Sequence, residues 1–479
     1  MTSTGGKLAR NSFWMISVQV FGRALTLLFS LYAASALGVE KFGIYGYAMA
    51  IVTLMAAFAD FGANTYQIRQ TAVLSRDDER KRLLTGSLIL RTGFGILGLI
   101  TLIVLAQILG RDETTTWLIL LLGAGMFFNN ISSSFTQTLI GLESFKLYGL
   151  IAIFSQTINI GAACLLIYSG FELLGIGYAY SGWGLLSFFI IAAVFIRKHY
   201  SPAPFVSREG VLKFLRGAFP IGLTVILVSL YYKSDYIILG HFRDAAEVGF
   251  YNAAYVIVNA MIFIPATLST TVLPRLSYLS EHDKINLEII YQRIFKYLFF
   301  AGFGLGFGTL AVSSDLIASI YPGEFAASYQ ALDILIWALA LIFINSMQGN
   351  MLVALGRQKL LAYITGAAAF VNIGLNLLVI PRYGMQGAAF TTVLAEITAG
   401  ASCLYILRNY NGVVNILPIA IRTLVAGISM YVLLQIAGDV SLFLRIPSGI
   451  VIYFSALYAI RGLNKADFQT LREIFKHGR

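Results

Sequence analysis

The sequence predicts an all-α integral membrane protein with about fourteen transmembrane helices. Three observations predict this class: the composition, the recurrence of long apolar runs, and the distribution of Lys and Arg. Of the 479 residues, 58% are hydrophobic and 12% are charged. The mean hydropathy is +0.78. Because about a quarter of the residues of a soluble domain are charged, this chain has too few polar residues to cover a water-soluble surface.

Apolar runs of about 20 residues, each long enough to cross about 30 Å of hydrocarbon, recur along the whole chain. We number them spans 1 to 14 and place them at residues 12–36, 43–65, 85–109, 116–140, 147–169, 173–196, 218–240, 248–273, 297–320, 331–355, 360–380, 386–407, 418–437 and 444–461. The segments between them are too short for a soluble domain. The sequence therefore predicts one membrane body with short connections.

Lys and Arg residues set the predicted orientation, because cytoplasmic loops are enriched in them. With the N-terminus inside, the predicted cytoplasmic segments hold about five times as many basic residues as the external segments. Both termini are then cytoplasmic, and the cell membrane is the expected location. The same loops account for the net charge of +11, so the charge does not indicate a nucleic-acid partner.

Short motifs repeat at an offset of six spans, which indicates an internal duplication. Phe42-Gly43-Ile44-Tyr45 returns as Val248-Gly249-Phe250-Tyr251, and Ile158 to Gly161 returns as Val371 to Gly374. An even offset gives both copies the same direction, so the copies are predicted to form two six-helix lobes related by a pseudo-two-fold axis along the membrane normal. The predicted boundaries are 1–196 for the N-terminal lobe, 197–217 for a cytoplasmic linker, 218–410 for the C-terminal lobe, 411–461 for spans 13 and 14, and 462–479 for a basic cytoplasmic tail.

Arg23 lies at the middle of span 1, where an arginine costs about 2.5–3.5 kcal/mol on insertion scales. Gln19, Arg23, Thr26 and Ser30 follow spacings of four, three and four, which place them on one helix face. We expect that face to line a wet cavity. The alternative is a structural arginine bonded to backbone carbonyls of neighbouring helices.

Span 7 carries Lys233 and Asp235, which point in different directions because they are two residues apart on a helix. Each is predicted to need water or a partner on another helix. Asp60 in span 2 and Glu396 in span 12 are further carboxylates within the membrane. Asp60, Asp235 and Glu396 are candidates for H⁺ or Na⁺ coupling, with ion pairing to a cation such as Arg23 or Lys233 as the alternative.

Several polar residues have a simpler expected role. Arg91 lies near the inner end of span 3 and is expected to extend its side chain toward the membrane surface. Span 8 carries Asn252 and Asn259 on one face, and its amides either bind substrate or hold helices together. Pro265 in the same span is predicted to kink it.

The sequence contains no pattern of catalytic residues and no metal-ligand spacing. The two cysteines, Cys164 and Cys403, lie within apolar runs and predict buried thiols. We therefore expect neither an enzyme nor a metal or organic cofactor, with coupling to H⁺ or Na⁺ left open.

Several motifs resemble the polysaccharide-exporter family of Wzx-type oligosaccharide flippases, within the multidrug/oligosaccharidyl-lipid/polysaccharide exporter superfamily. The resemblance rests on Asn11 to Trp14, Leu37 to Tyr45, Asp60-Phe61-Gly62, Asp235 with Leu239-Gly240, Val248 to Ala254, Thr271 to Ser277, Ala354 to Lys359 and Asn372 to Ala389. These motifs are spread over nearly the whole chain, and their order and spacing carry the match.

The resemblance implies that the protein moves a polyprenyl-(pyro)phosphate-linked oligosaccharide to the outer leaflet by alternating access, using a cavity between two lobes. Arg23, with Lys233 and Arg275 as weaker analogues, would bind the phosphates, and Gln19, Asn252 and Asn259 would meet the sugars. The expected partners are the lipid-linked oligosaccharide, membrane lipids and other polysaccharide-assembly proteins. A cation-coupled multidrug antiporter of the same fold, a membrane-embedded glycan polymerase or ligase, and a scaffold without transport activity are the alternatives.

Overall fold

The computed structural model describes residues 4–108, 110–410, 414–438 and 440–463, and within them it is almost entirely helical. The α-helices are α1 Thr4–Asp60, α2 Ala63–Val73, α3 Asp77–Ile108, α4 Glu113–Gly141, α5 Phe145–Leu166, α6 Glu172–Lys198, α7 Arg208–Phe242, α8 Ala245–Met261, α9 Phe263–His282, α10 Lys284–Ile320, α11 Ser328–Ala354, α12 Gln358–Leu407, α13 Ile416–Ile436 and α14 Leu442–Ala459. The described residues contain no β-strand. The all-α prediction is confirmed.

Eleven helical stretches of the described chain are long and apolar enough to cross a membrane. Three of them have 61, 54 and 53 residues, more than twice the about 20 residues that one crossing needs. Each of these three is interrupted by a glycine with a positive φ angle: Gly38 (φ 77°), Gly170 (φ 91°) and Gly384 (φ 54°). Two crossings in each long stretch make the eleven stretches compatible with fourteen spans.

The three interruptions coincide with the turns predicted between spans 1 and 2, 5 and 6, and 11 and 12. Glycine suits these positions because a residue without Cβ adopts positive φ at little steric cost. Pro265 also acts as predicted, since α8 ends at Met261 and α9 begins at Phe263. The proline has no N–H to donate to the Met261 carbonyl, four residues earlier, and its ring crowds that carbonyl.

The chain divides into two compact units, residues 1–252 and residues 253–479. In the first unit, α3, α4 and α6 share an apolar core formed by Leu84, Phe135, Leu139, Ile191 and Phe195. Helices α4 and α6 pack closely, and a Cβ added to Gly184 would lie 3.0 Å from the Gly125 carbonyl oxygen. Small residues permit such approach where helices associate within lipid. The lobe and linker boundaries given above stay predictions.

In the second unit, α13 and α14 pack on α10. Phe300 of α10 shares a core with Met430 of α13 and Tyr453 of α14, and the Tyr453 hydroxyl donates to the Phe300 carbonyl at 2.7 Å. The guanidinium of Arg445 forms a salt bridge with Asp315 of α10. These contacts attach the two helices that lie outside the predicted repeat to the rest of their unit.

Candidate functional site

The polar face predicted on span 1 is present in the first half of α1. Gln19, Arg23 and Thr26 are exposed, and Ser30 is buried with its hydroxyl donating to the Thr26 carbonyl at 2.9 Å. Gln156 of α5 donates its amide to the Gly22 carbonyl at 2.9 Å and to the Thr26 hydroxyl at 3.0 Å. One polar, positively charged surface strip therefore runs along α1, defined here by Gln19, Arg23 and Thr26.

The polar residues of α7 lie next to those at the start of α8. Asp235 is buried and accepts a hydrogen bond from the Tyr251 hydroxyl at 2.8 Å. Asn252 is also buried, and its side-chain oxygen accepts from the Tyr236 hydroxyl at 3.2 Å. The Lys233 ammonium is half-buried and lies 5.4 Å from the centre of the Tyr236 ring. The tyrosines thus bring Lys233, Asp235 and Asn252 into one neighbourhood.

Asn259 and Arg275, the remaining predicted substrate-binding residues, are both exposed. Asn259 lies in the last turn of α8, and Arg275 lies two turns before the end of α9. The Arg275 guanidinium stacks over Tyr278, 5.8 Å from the ring centre. Their positions leave both side chains accessible to a ligand.

Asp60 forms a salt bridge with Arg91, at 3.0 Å between Oδ1 and Nη1. The prediction that Arg91 extends to the surface is wrong, because its side chain is 1% exposed. The guanidinium also donates to the Asn64 side chain at 2.9 Å, the Asn130 side chain at 2.9 Å and the Ser87 hydroxyl at 3.1 Å. These bonds saturate the charge inside the protein, so the side chain has no need to reach water.

The polar network continues from Ser87 into the interface between α2, α3 and α4. Ser87 donates to Gln67 at 2.7 Å, and the Gln67 amide donates to the Ser134 carbonyl at 2.7 Å and to the Thr138 hydroxyl at 2.8 Å. All four side chains are buried. Buried polar groups of this kind fix helix positions strongly, because breaking any one bond leaves a desolvated partner.

The acidic residue of α12 is paired with an amide. Glu396 is 5% exposed, and the Asn345 amide of α11 donates to its carboxylate at 2.7 Å and to its carbonyl at 3.0 Å. Gly400 makes room for this contact, since a Cβ there would lie 2.5 Å from the Asn345 side-chain oxygen. Glu396 was singled out from the sequence, but its contact with Asn345 was not predicted.

A second buried polar cluster on α12 was not predicted as functional. The Asn376 amide donates to the Asn372 side chain at 3.0 Å, and the Thr391 hydroxyl donates to Asn376. Asn372 appeared in the sequence only as part of a repeated motif. The spacing of Asn372 and Asn376 by one helical turn is the signal that could have identified the cluster.

Comparison with known proteins now identifies the family. A sequence profile described as polysaccharide biosynthesis protein matches residues 8–280, more than half of the chain. The chain belongs to the polysaccharide biosynthesis protein family. A second profile, MatE, matches residues 220–378. The resemblance stated from the motifs is confirmed.

Curated relatives of this polysaccharide biosynthesis family member span most of its length. A probable low-salt glycan biosynthesis flippase, Agl15, of Haloferax volcanii is 22% identical, with 81% of each chain covered. A putative O-antigen transporter of Escherichia coli is 24% identical over 84% of this chain and 97% of its own. The relatives are named as flippases and transporters.

Solved structures share the fold. Lipid II flippase MurJ in an inward closed conformation superposes with a TM-score of 0.75 at 16% identity, covering 93% of this chain and 97% of the MurJ chain. An inward-facing MATE family multidrug transporter gives a TM-score of 0.66 at 18% identity, covering 81% and 94%. At these identities the likeness shows the fold alone.

Proposed function

We propose that the protein is a flippase that moves a polyprenyl-(pyro)phosphate-linked oligosaccharide from the cytoplasmic to the outer leaflet by alternating access. The supporting observation is the membership of the polysaccharide biosynthesis protein family together with a glycan flippase relative matched over 81% of the chain. The cell membrane is the location, with both termini in the cytoplasm. Glycan-assembly proteins on the cytoplasmic side of the membrane would supply the substrate, and others on the outer side would use the product.

Arg23 is the proposed phosphate-binding residue. It is exposed at the centre of the surface strip on α1, where neighbouring Gln19 and Thr26 add hydrogen-bonding groups. A guanidinium binds phosphate through two parallel N–H bonds, whereas an ammonium binds as a single charge. Lys233 and Arg275 are proposed as secondary cations for the same substrate, and Asn252 and Asn259 as sugar contacts.

Asp60, Asp235 and Glu396 stay proposals for ion coupling. Asp60 forms a salt bridge with Arg91 at 3.0 Å, so protonation of Asp60 would leave a buried cation without its counter-ion. Asp235 accepts a hydrogen bond from the Tyr251 hydroxyl, and Glu396 accepts one from the Asn345 amide. All three carboxylates stay candidates for binding H⁺ or Na⁺.

The test is leaflet exchange of a fluorescent polyprenyl-pyrophosphate oligosaccharide in liposomes. Arg23→Ala is expected to lower the initial rate at least 10-fold, and Arg23→Lys to recover part of it. Arg76→Ala, which removes an exposed arginine from the segment between α2 and α3, is the matched control and should leave the rate unchanged. Wild-type liposomes that export a cationic dye but leave the labelled lipid in place would instead support the antiporter alternative.

A further inference from the structure

The segment between α6 and α7, residues 199–207, folds back onto the start of α3. The Ala203 N–H donates to the Lys81 carbonyl at 3.4 Å, and the Thr85 hydroxyl donates to the Ala203 carbonyl at 2.9 Å. A proline stands on each side of Ala203, and its ring fixes the backbone angle φ there. The segment is therefore held in place as a wall against α3.

This wall encloses a cavity together with α2, α3 and α7. The volume of the cavity is about 930 Å³, within the about 300–1,000 Å³ typical of small-molecule sites. All of its lining residues belong to the first compact unit. Leu83, Gly86 and Phe214 are among them, and they lie beside the predicted inner ends of spans 3 and 7. The cavity therefore lies where these two helices are predicted to enter the membrane.

Cations outnumber acids on the walls of the cavity. Lys81 and Arg82 of α3 and Lys213 of α7 line it, against Asp78 and Glu79 of α3. The Asp78 carboxylate lies 3.6 Å from the Lys81 ammonium, and both acids stand in the first turn of α3, where they offset the positive end of the helix dipole. The lining thus favours an anionic ligand, and Arg82 and Lys213 offer it exposed cations from two different helices.

An exposed aromatic ring stands beside these cations. Phe205 of the segment 199–207 lines the cavity, and it is 76% exposed. A phenyl ring that faces water loses the free energy that burial of its apolar surface would give, whereas at a membrane surface it can pack among glycerol and acyl groups. A soluble anion would use the cations and leave Phe205 in water. A phospholipid would use both.

We propose that this cavity binds the head group of an anionic phospholipid from the surrounding leaflet. Arg82 and Lys213 hold the phosphate, and Phe205 contacts the glycerol and the first carbons of the acyl chains. Basic pockets between membrane helices on the cytoplasmic side bind anionic head groups in this way. The lining residues include none of the surface strip on α1, so the site does not depend on what the protein transports.

Native mass spectrometry of the delipidated full chain in detergent tests the site, with phosphatidylglycerol and phosphatidylcholine of the same acyl chains as probes. Wild type should prefer phosphatidylglycerol. Arg82→Gln combined with Lys213→Gln should weaken phosphatidylglycerol binding about 10-fold or more, because each cation adds to the attraction for an anionic head group. Binding of phosphatidylcholine, whose head group has no net charge, should change little.

A second pair of substitutions controls for the loss of charge. Lys359→Gln combined with Arg408→Gln removes the same charge at two exposed positions outside the cavity, on the same predicted side of the membrane. This pair should leave phosphatidylglycerol binding close to that of wild type. Equal weakening by the two pairs would overturn the proposal, because the total charge and not the cavity would then attract the lipid.

Phe205→Ser separates a phospholipid from a soluble phosphate, because it keeps every charge. It should weaken phosphatidylglycerol binding severalfold, with an unchanged melting temperature showing that the variant is folded. Glycerol 3-phosphate carries the same phosphate without acyl chains, and an excess of it should not displace phosphatidylglycerol from wild type. Displacement by glycerol 3-phosphate, or full phosphatidylglycerol binding by Phe205→Ser, would assign the cavity to a soluble phosphate and overturn the proposal.

Discussion

Spans 2 and 8 are predicted to occupy equivalent places in the repeat, and both are broken partway, but by different residues. The first break has two successive residues at positive φ, Phe61 (44°) and Gly62 (78°), between α1 and α2. The second break, at Ile262 between α8 and α9, keeps right-handed backbone angles and lies three residues before Pro265. Both spans are thus broken within the membrane segment, and the residues that produce the two breaks differ.

The two breaks also differ in what holds them. Asp60 accepts the Asn64 N–H of α2 at 3.2 Å and the Arg91 guanidinium of α3 at 3.0 Å, so the first break is fixed by other helices. The start of α9 at Ile262 has no side-chain cap, and Pro265 cannot donate the N–H that would continue α8 into α9. Bonds from other helices hold the first break, and a proline of the same segment accounts for the second.

Removing the cation at the first break is expected to have the largest effect on stability. Arg91→Met leaves the Asp60 carboxylate without the cation that neutralises it and several amide and hydroxyl oxygens without donors, which should cost about 3–5 kcal/mol. Thermal and denaturant unfolding of the purified protein in detergent measures the loss. Arg422→Met, at a half-buried arginine on α13, is the control and should cost much less. Equal losses would show that the polar network does not hold the first break.

A smaller effect is expected from the backbone of the first break. Gly62→Ala combines strain at positive φ with a Cβ only 2.6 Å from the Ala218 carbonyl oxygen, and should destabilise the protein by about 2–3 kcal/mol. Pro265→Ala should change stability by less than about 1 kcal/mol, since it removes a local restraint. Gly93→Ala, with nothing within 4 Å of its Cβ, controls for the substitution itself. A Pro265→Ala loss as large as that of Gly62→Ala would mean that both breaks depend on tertiary contacts.

This contrast also explains which features the sequence could predict. A proline within an apolar run is a local signal, so the bend near Pro265 could be predicted, as could the class of the protein from its apolar runs. Phe61-Gly62 lies inside an equally apolar run, and its break depends on Ala218 and Gly222 of α7, which sequence spacing does not bring near. Arg91 was misjudged for the same reason, because its partners lie on three other helices.

The smallest expected effect is at Asp283, whose carboxylate accepts a hydrogen bond at the start of a helix, as that of Asp60 does. Asp283 accepts the Asn286 N–H at 3.0 Å at the start of α10, as Asp60 does for α2, but in solvent and without a buried cation. The bonds from the Asn286 N–H and side-chain amide hold the pKa of Asp283 below its usual range. Because the pKa is lower in the folded state, the stabilisation is present above the unfolded value of about 4 and is lost as the pH falls through the folded value.

Asp283→Ala should therefore lower the melting temperature slightly at pH 7, and the difference from wild type should shrink as the pH falls to 3. The measurement is a pair of melting curves in detergent at each pH, with Asp283→Asn as the variant that keeps a hydrogen-bond acceptor but not the charge. If the carboxylate charge is what matters, Asp283→Asn should lie between wild type and alanine at pH 7, and wild type should approach Asp283→Asn in acid, because neither variant titrates at this position. A difference that persists unchanged at pH 3 would show that the helix start depends on side-chain shape, and would remove the analogy between the exposed cap and the buried one at Asp60.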